Sequence, residues 1–415
     1  MMNDLSSIEL DIKEHLENLA CFTSTPENGT TRLPFSLEAK QTVKYIGKIM
    51  NEIGLDVHED YAGSITGKLN GSDSDIPSII IGSHYDSVKC GGNFDGIAGV
   101  ICGLEVARKL KENNIKLKYP LEIMGINDEE GVRFGTGFFG SKAMLGMVTR
   151  DDLLGYKDQN NISIYEAMKK YGLDPEKIGD MSRKTDSIKS FIEIHIEQGP
   201  ILENNKKDIG VVEYIIGMQR YIISILGRAD HAGTTPMSMR VDAMETASKV
   251  ISNVGEWARS ENNGTVATVG YIKTFPNAIN IIPEKVEFSV DIRSKNNESI
   301  ERIFNKIKQN IKKLSSIYGT QYTIEPKLSE RPIKLNEELI GQISKICKEN
   351  KYTYQKIDSG AGHDSLVMGK YVDTAMVFVP SKGGRSHCME EWTDYKYLAK
   401  AVDVVYNLIL NINEK

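Results

Sequence analysis

A chain of 415 residues with 40% hydrophobic and 26% charged residues has an ordinary globular composition and is long enough for two domains. Its net charge of −6 excludes a basic footprint for nucleic acid or an anionic membrane and leaves a small-molecule substrate as the default. Cys21, Cys90, Cys102, Cys347 and Cys388 are odd in number and lack C-x-x-C spacing. They fit a reducing compartment better than a disulfide framework. The opening MMNDLSSIELDIKEHLENLA is charged and helical in pattern, and no segment approaches 18 uninterrupted apolar residues. A cytoplasmic location without a membrane span is expected.

In chain order, helical periodicity near 5–20 and 36–53 leads into strand-like SITGKL and IPSIIIG. A glycine-rich loop, the helical FDGIAGVICGLEVARKLKEN and the strand-like YPLEIMGIN follow. That β-α-β order predicts a parallel sheet whose ligands gather beyond the strands' carboxyl ends. From 216 to 330 the pattern changes. RYIISILG, RVDAMETASKVISNVGEWARS, TVATVGYIKTF, KVEFSVDIRS, SIERIFNKIKQNIKKLSSIYG and QYTIEPKLS read β-α-β-β-α-β, a split ferredoxin-like unit. The helical NEELIGQISKICKEN and strand-like TAMVFVP then resume the first pattern. The expected architecture is an α/β domain (1–215 and 331–415) carrying an inserted α+β domain (216–330).

His15 and His58 sit in charged surroundings, but His84, His195, His231, His363 and His387 lie at strand ends or beside glycines. One such histidine is ordinarily structural, whereas five with carboxylates alongside point to a site. In an extended GSHYD, Asp86 projects to the same side as His84 and can hold its ring, as partners of metal-ligating imidazoles do. Asp95 follows on a glycine-lined turn. Asp128, Glu129 and Glu130 crowd the end of the next strand, and a cation would relieve their repulsion.

His84, Asp95, Glu130, His195 and His387 form a nitrogen and oxygen set without thiolate. Five ligands including a carboxylate able to bridge suit two ions about 3.5–4 Å apart. Glu129 is left over as a general base. No G-x-S-x-G, H-E-x-x-H or P-loop stands against this reading. A metal-dependent binding protein is the non-enzymatic alternative, but it would have no use for Glu129. The donor set accepts Zn²⁺, Mn²⁺, Co²⁺ or Ni²⁺.

GSHYDSVKCGGNFDGIAGV, NDEEGVRF, EIHIEQGP, DHAGTTPM, NAINIIPEKVEFSVDIR, SGAGHDS and GGRSH, in this order along nearly all the chain, resemble the peptidase M20 group in its N-carbamoyl-L-amino-acid hydrolase and allantoate amidohydrolase branch. The resemblance implies a di-metal catalytic domain with an inserted dimerisation or lid domain, and a homodimer formed through the insert. It assigns His84, Asp95 and His195 to one ion, Asp95, Glu130 and His387 to the other, Glu129 to general base and Asp86 to orienting His84. It further implies that His231 stabilises the oxyanion across the dimer. Asn277 or Asn280, Arg293, Gln198, Gln219 and the backbone from Gly360 would then contact a ureido acid. Hydrolysis of its ureido C–N bond would release an amine, ammonia and CO₂. GMQRY and PNAIN lean toward allantoate, although Gln219 stands where that branch often has arginine. An M20 aminopeptidase or N-acyl-amino-acid deacylase is the runner-up.

Overall fold

The computed structural model describes residues 2–73 and 75–414, which divide into two compact units, Met1–Glu213 with Lys334–Lys415 and Tyr214–Ile333. The first half of the chain supplies α1 (Met2–Ala20), α2 (Leu37–Ile53), β1 (Asp56–Glu59), β2 (Ile65–Leu69), β3 (Ser78–His84), α3 (Ile97–Glu112), β4 (Leu121–Ile126), β5 (Ile188–Ile196) and β6 (Ile209–Ile215). Short helical turns fill residues 139–181. The second unit contains β7 (Gly217–Leu226), α4 (Ala243–Ser260), β8 (Val266–Thr268), β9 (Ile272–Phe275), β10 (Lys285–Ser294), α5 (Asn297–Tyr318) and β11 (Gln321–Glu330). Then come β12 (Ile333–Lys334), α6 (Glu337–Glu349), β13 (Tyr354–Ser359), α7 (Asp364–Met368), β14 (Thr374–Val379) and α8 (Tyr395–Asn413).

The larger unit is built on a nine-stranded sheet in the order β1-β2-β4-β3-β5-β14-β6-β12, with β13 on β6. Its centre, β4-β3-β5-β14, is parallel, and β2 and β6 flank it antiparallel. All seven residues of β3 and all six of β4 and β14 are buried, the continuous apolar run expected of strands covered on both faces. Helix α3 packs on β3, β4 and β5, and α1 and α8 lie against it. Sandwiched in this way, it is buried over nearly its whole circumference. Cys102 lies in α3 and Cys347 in α6, both buried; Cys21 and Cys90 are exposed, and all five thiols are unpaired.

The smaller unit is antiparallel, in the order β11-β7-β10-β8, with α4 and α5 over one face. Val286, Phe288, Val290 and Ile292 alternate along β10 and meet Ile300, Ile303, Ile307 and Ile311 of α5, spaced by three and four residues. Where the sequence predicts one strand over TVATVGYIKTF, there are two, β8 and β9, both paired with β10. Four chain steps from Thr268 to Ile272 face three from Asp291 to Phe288. The one extra residue, next to Gly270, is a bulge that interrupts the edge strand.

No helix among the described residues is long and apolar enough to cross a membrane.

Candidate metal centre

Four adjacent parallel strands bring the predicted ligands to one place. His84 is the last residue of β3, the acidic turn follows β4, His195 is the penultimate residue of β5, and His387 lies on the loop after β14. Asp95 enters from the loop between β3 and α3. Gly96, with φ 66°, admits this approach, since a Cβ there would overlap the His84 ring.

Asp95 stands between the imidazoles. Its Oδ1 is 3.3 Å from His84 Nε2 and 3.1 Å from His195 Nε2, while its Oδ2 is 3.2 Å from His387 Nε2. His387 Nε2 is in turn 3.3 Å from Glu130 Oε1. Three groups result among the described residues, His84–Asp95–His195, Asp95–Glu130–His387 and His84–Glu129–Glu130, with the ligand atoms of each within 4.8 Å of one another.

The outward ring nitrogens are occupied. His84 Nδ1 lies 3.1 Å from the Asp86 carbonyl and His195 Nδ1 2.8 Å from the Ile196 carbonyl. A proton on Nδ1 satisfies each carbonyl and leaves each Nε2 as an inward-facing acceptor, that of His195 also taking the Gly96 N–H at 3.1 Å. Asp95 Oδ1 and Glu130 Oε1 are buried without a hydrogen bond. Buried acceptors with nothing to accept from, facing inward lone pairs, fit divalent cations.

Burial disfavours charge on Asp95, but the imidazoles of His195, His387 and His84 hold its carboxyl well below the usual range. Conversely, Asp95 and Glu130 push His387 up to about 10. Burial drives Glu129 well above its ordinary value against the pull of His84, and the nearby carboxylates add to the rise. Its Oε2 lies 4.0 Å from His84 Nε2. A buried carboxyl of raised proton affinity, at the edge of the ligand cluster and within reach of His84 and Glu130, is placed to exchange a proton with a reacting water.

Asp86 reaches His84 with both its carboxylate and its main chain. Its carboxylate is 3.6 Å from His84 Nδ1, and its backbone carbonyl makes the ring's hydrogen bond. The carboxylate also accepts the N–H groups of Glu129 (3.1 Å) and Glu130 (3.3 Å), fixing the acidic turn that starts at left-handed Asp128 (φ 58°). Gln198, expected on the substrate, donates its amide to Asp95 Oδ2 at 2.7 Å. Gly360 is exposed just past β13. In the same loop, His363 packs edge-on against His195 with ring centroids 4.5 Å apart.

Within the smaller unit, His231 bridges to Ile281, and the Asn280 carbonyl accepts the Ala232 N–H at 3.0 Å. These contacts place His231 beside Asn280, both exposed, while exposed Asn277 accepts from Thr274 instead. His231 Nδ1 accepts the N–H groups of Gly233 (3.0 Å) and Thr234 (3.2 Å), so the neutral ring carries its proton on Nε2 as a donor. Gln219 pairs with Ile292, a core residue on the helix-covered face, and its amide oxygen accepts from Tyr221. Arg293, one residue on, lies on the opposite face and pairs with Asp291, which Arg220 also contacts. Side-chain alternation therefore separates the two residues that sequence reasoning put on one substrate.

Sequence reasoning also missed Glu193, which accepts from Ser83 Oγ and from the Ser365 N–H and hydroxyl, and Glu391, which accepts the N–H groups of Phe94 and Asp95. Both are buried carboxylates beside ligand loops. An acidic residue inside the apolar run SFIEIHI was the one available signal for Glu193.

The sequence profile of Peptidase family M20/M25/M40 matches residues 80–411. An N-carbamoyl-L-amino-acid amidohydrolase of Paenarthrobacter aurescens is 37% identical over 398 residues, covering 96% of each chain. An allantoate amidohydrolase of Escherichia coli is 33% identical over 391 residues, covering 94% of this chain and 95% of that one. Among solved structures, an amidase of the hydantoinase/carbamoylase family from Burkholderia multivorans superposes with a TM-score of 0.89 at 30% identity, covering 98% of both chains.

Proposed function

The chain belongs to peptidase family M20/M25/M40, and from that premise we propose that it is a two-metal amidohydrolase cleaving the ureido C–N bond of an N-carbamoyl acid. The observation that carries this reading is Asp95, whose two oxygens face separate imidazoles while Glu129 stays uncommitted beside them. His84, Asp95 and His195 would hold one cation, and Asp95, Glu130 and His387 the other. Cations held there, Zn²⁺ or Mn²⁺ with Co²⁺ or Ni²⁺ as substitutes, lower the pKa of a water and draw charge from the carbamoyl oxygen. Glu129 takes the water's proton and returns it to the leaving nitrogen. Asp86 holds Glu129 in place through the backbone of its turn.

From the inserted domain, the Nε2–H of His231 meets the developing oxyanion, supplied across a homodimer, a role worth roughly 3 kcal/mol for a preorganised donor. Arg293 grips the substrate carboxylate, with Asp291 fixing its guanidinium, and Asn277 or Asn280 and the Gly360 backbone bind the remaining polar atoms. The homodimer reading draws on the interrupted edge of the smaller sheet, where Val266, Tyr271 and Ile272 are exposed. A cytoplasmic location accords with five unpaired thiols.

The products are an amine, ammonia and CO₂. Allantoate and N-carbamoyl-L-amino acids are the first substrates to try, followed by N-carbamoyl-β-alanine. Purified protein loaded with Mn²⁺ or Zn²⁺ is expected to release ammonia from at least one of them. Cleavage of a dipeptide or an N-acyl amino acid with no ammonia from any ureido acid would defeat the assignment. Glu129→Gln should retain both ions and lose about 100-fold or more in turnover.

A further inference from the structure

Glu391 has no part in that chemistry, yet it is 4% exposed and joins two ligand loops. Its Oε1 accepts the backbone N–H of Phe94 at 2.9 Å and of Asp95 at 3.0 Å. Its Oε2 accepts the hydroxyl of Ser386, the residue before His387, at 2.7 Å. The same hydroxyl lies 2.8 Å from Asp95 Oδ2. One carboxylate thus fixes both the main chain of the shared ligand and the stretch that presents His387. Gly92 makes the room, because a Cβ there would run into the Glu391 carboxyl.

The three imidazoles are held unequally. The side chains of His84 and His195 are 1% and 0% exposed, whereas that of His387 is 49% exposed on a residue at φ 57°. Packing fixes the first two, but His387 has little packing around it, so its position depends on how its loop is tethered. The tether is also sensitive to charge. Ser386 has one proton for two carboxylate oxygens, so with both acids ionised only one contact at a time is a hydrogen bond.

The geometry points to Glu391 and Ser386 as a positioning pair for the Asp95–Glu130–His387 cation position, Ser386 acting on that position alone and Glu391 also on the main chain of the shared Asp95. This inference rests on the two-cation reading above.

The test uses the full chain, stripped by a chelator and titrated with Mn²⁺ by calorimetry, with bound metal counted after dialysis. Wild-type protein is expected to take two ions. Ser386→Ala should take the first ion with unchanged affinity and the second about 10-fold or more weakly, whereas Glu391→Ala, which also frees the main chain of the shared Asp95, should weaken both, the second more. Gly92→Ala, which displaces the Glu391 carboxyl, should follow the Glu391→Ala pattern, and Glu391→Gln, which keeps an acceptor for the two N–H groups, should recover most of the second affinity. Ser386→Ala removes a single hydroxyl and carries the test if Glu391→Ala does not fold. Wild-type affinity at both positions in the folded Ser386→Ala protein, or parallel loss of both ions, overturns the pairing. Fewer than two ions on wild-type protein would instead overturn the two-cation reading, and the pairing with it.

Discussion

Gly96 shows how narrowly the centre is fitted at the scale of single residues. Its φ of 66° already disfavours a side chain, and the His84 ring occupies the space a Cβ would need. Gly96→Ala is expected to cost about 1 kcal/mol or more from backbone strain alone and to displace the imidazole. Denaturant unfolding and a metal titration should therefore both register the change; an alanine variant with unaltered metal affinity would contradict this account of the loop. That His84, Asp95, Glu129, Glu130, His195 and His387 would gather was legible in the sequence because they lie at strand ends or in the loops that follow parallel strands. Glu391 was not. Its partners are main-chain N–H groups almost 300 positions earlier, and amide donors leave no mark on side-chain identity. Asp86 was noticed for its spacing, but spacing does not show that its main chain reaches the ring as well as its carboxylate.

At the scale of elements, periodicity located strands and helices well where burial is one-sided or complete, as in β10 and β3. It did not reveal the extra residue that splits β8 from β9, because a bulge changes pairing and leaves composition untouched. Helix α3 carries a further consequence. Enclosed by the sheet and by α1 and α8, it buries Glu105 to 1% exposure, and burial, only partly offset by Arg108, raises the carboxyl from 4.5 to about 7. The folded state keeps a proton that the unfolded chain releases above pH 4.5. Stability from this group is therefore complete below pH 4.5, declines as pH rises to about 7, and is flat beyond. Glu105→Gln should gain up to roughly 3 kcal/mol over wild type at pH 8 and almost nothing at pH 4. Paired urea melts at the two pH values would check this, and equal differences at both would refute it.

For the whole molecule, the change from β-α-β to β-α-β-β-α-β order was enough to suggest an inserted unit. Chain contacts place it at Tyr214–Ile333, with its own core on β10 and α5. The larger unit gathers Asp95, Glu129 and Glu130 at one end of its sheet, so cations binding only the folded form would stabilise it as a whole. Chelation is expected to lower the thermal midpoint by several degrees, with recovery on adding Mn²⁺ or Zn²⁺. The gap should narrow at lower pH as protons compete for His387. Calorimetric scans with and without chelator test this, and coincident curves at pH 8 would count against any bound ion. The placement of the thiols adds one more consequence. Alkylating reagents should mark Cys21 and Cys90 at once, whereas Cys102 and Cys347, buried and raised in pKa, react only when α3 or α6 opens. Mass spectrometry of labelled peptides over time would then clock the breathing of two separate helices in the unmodified protein.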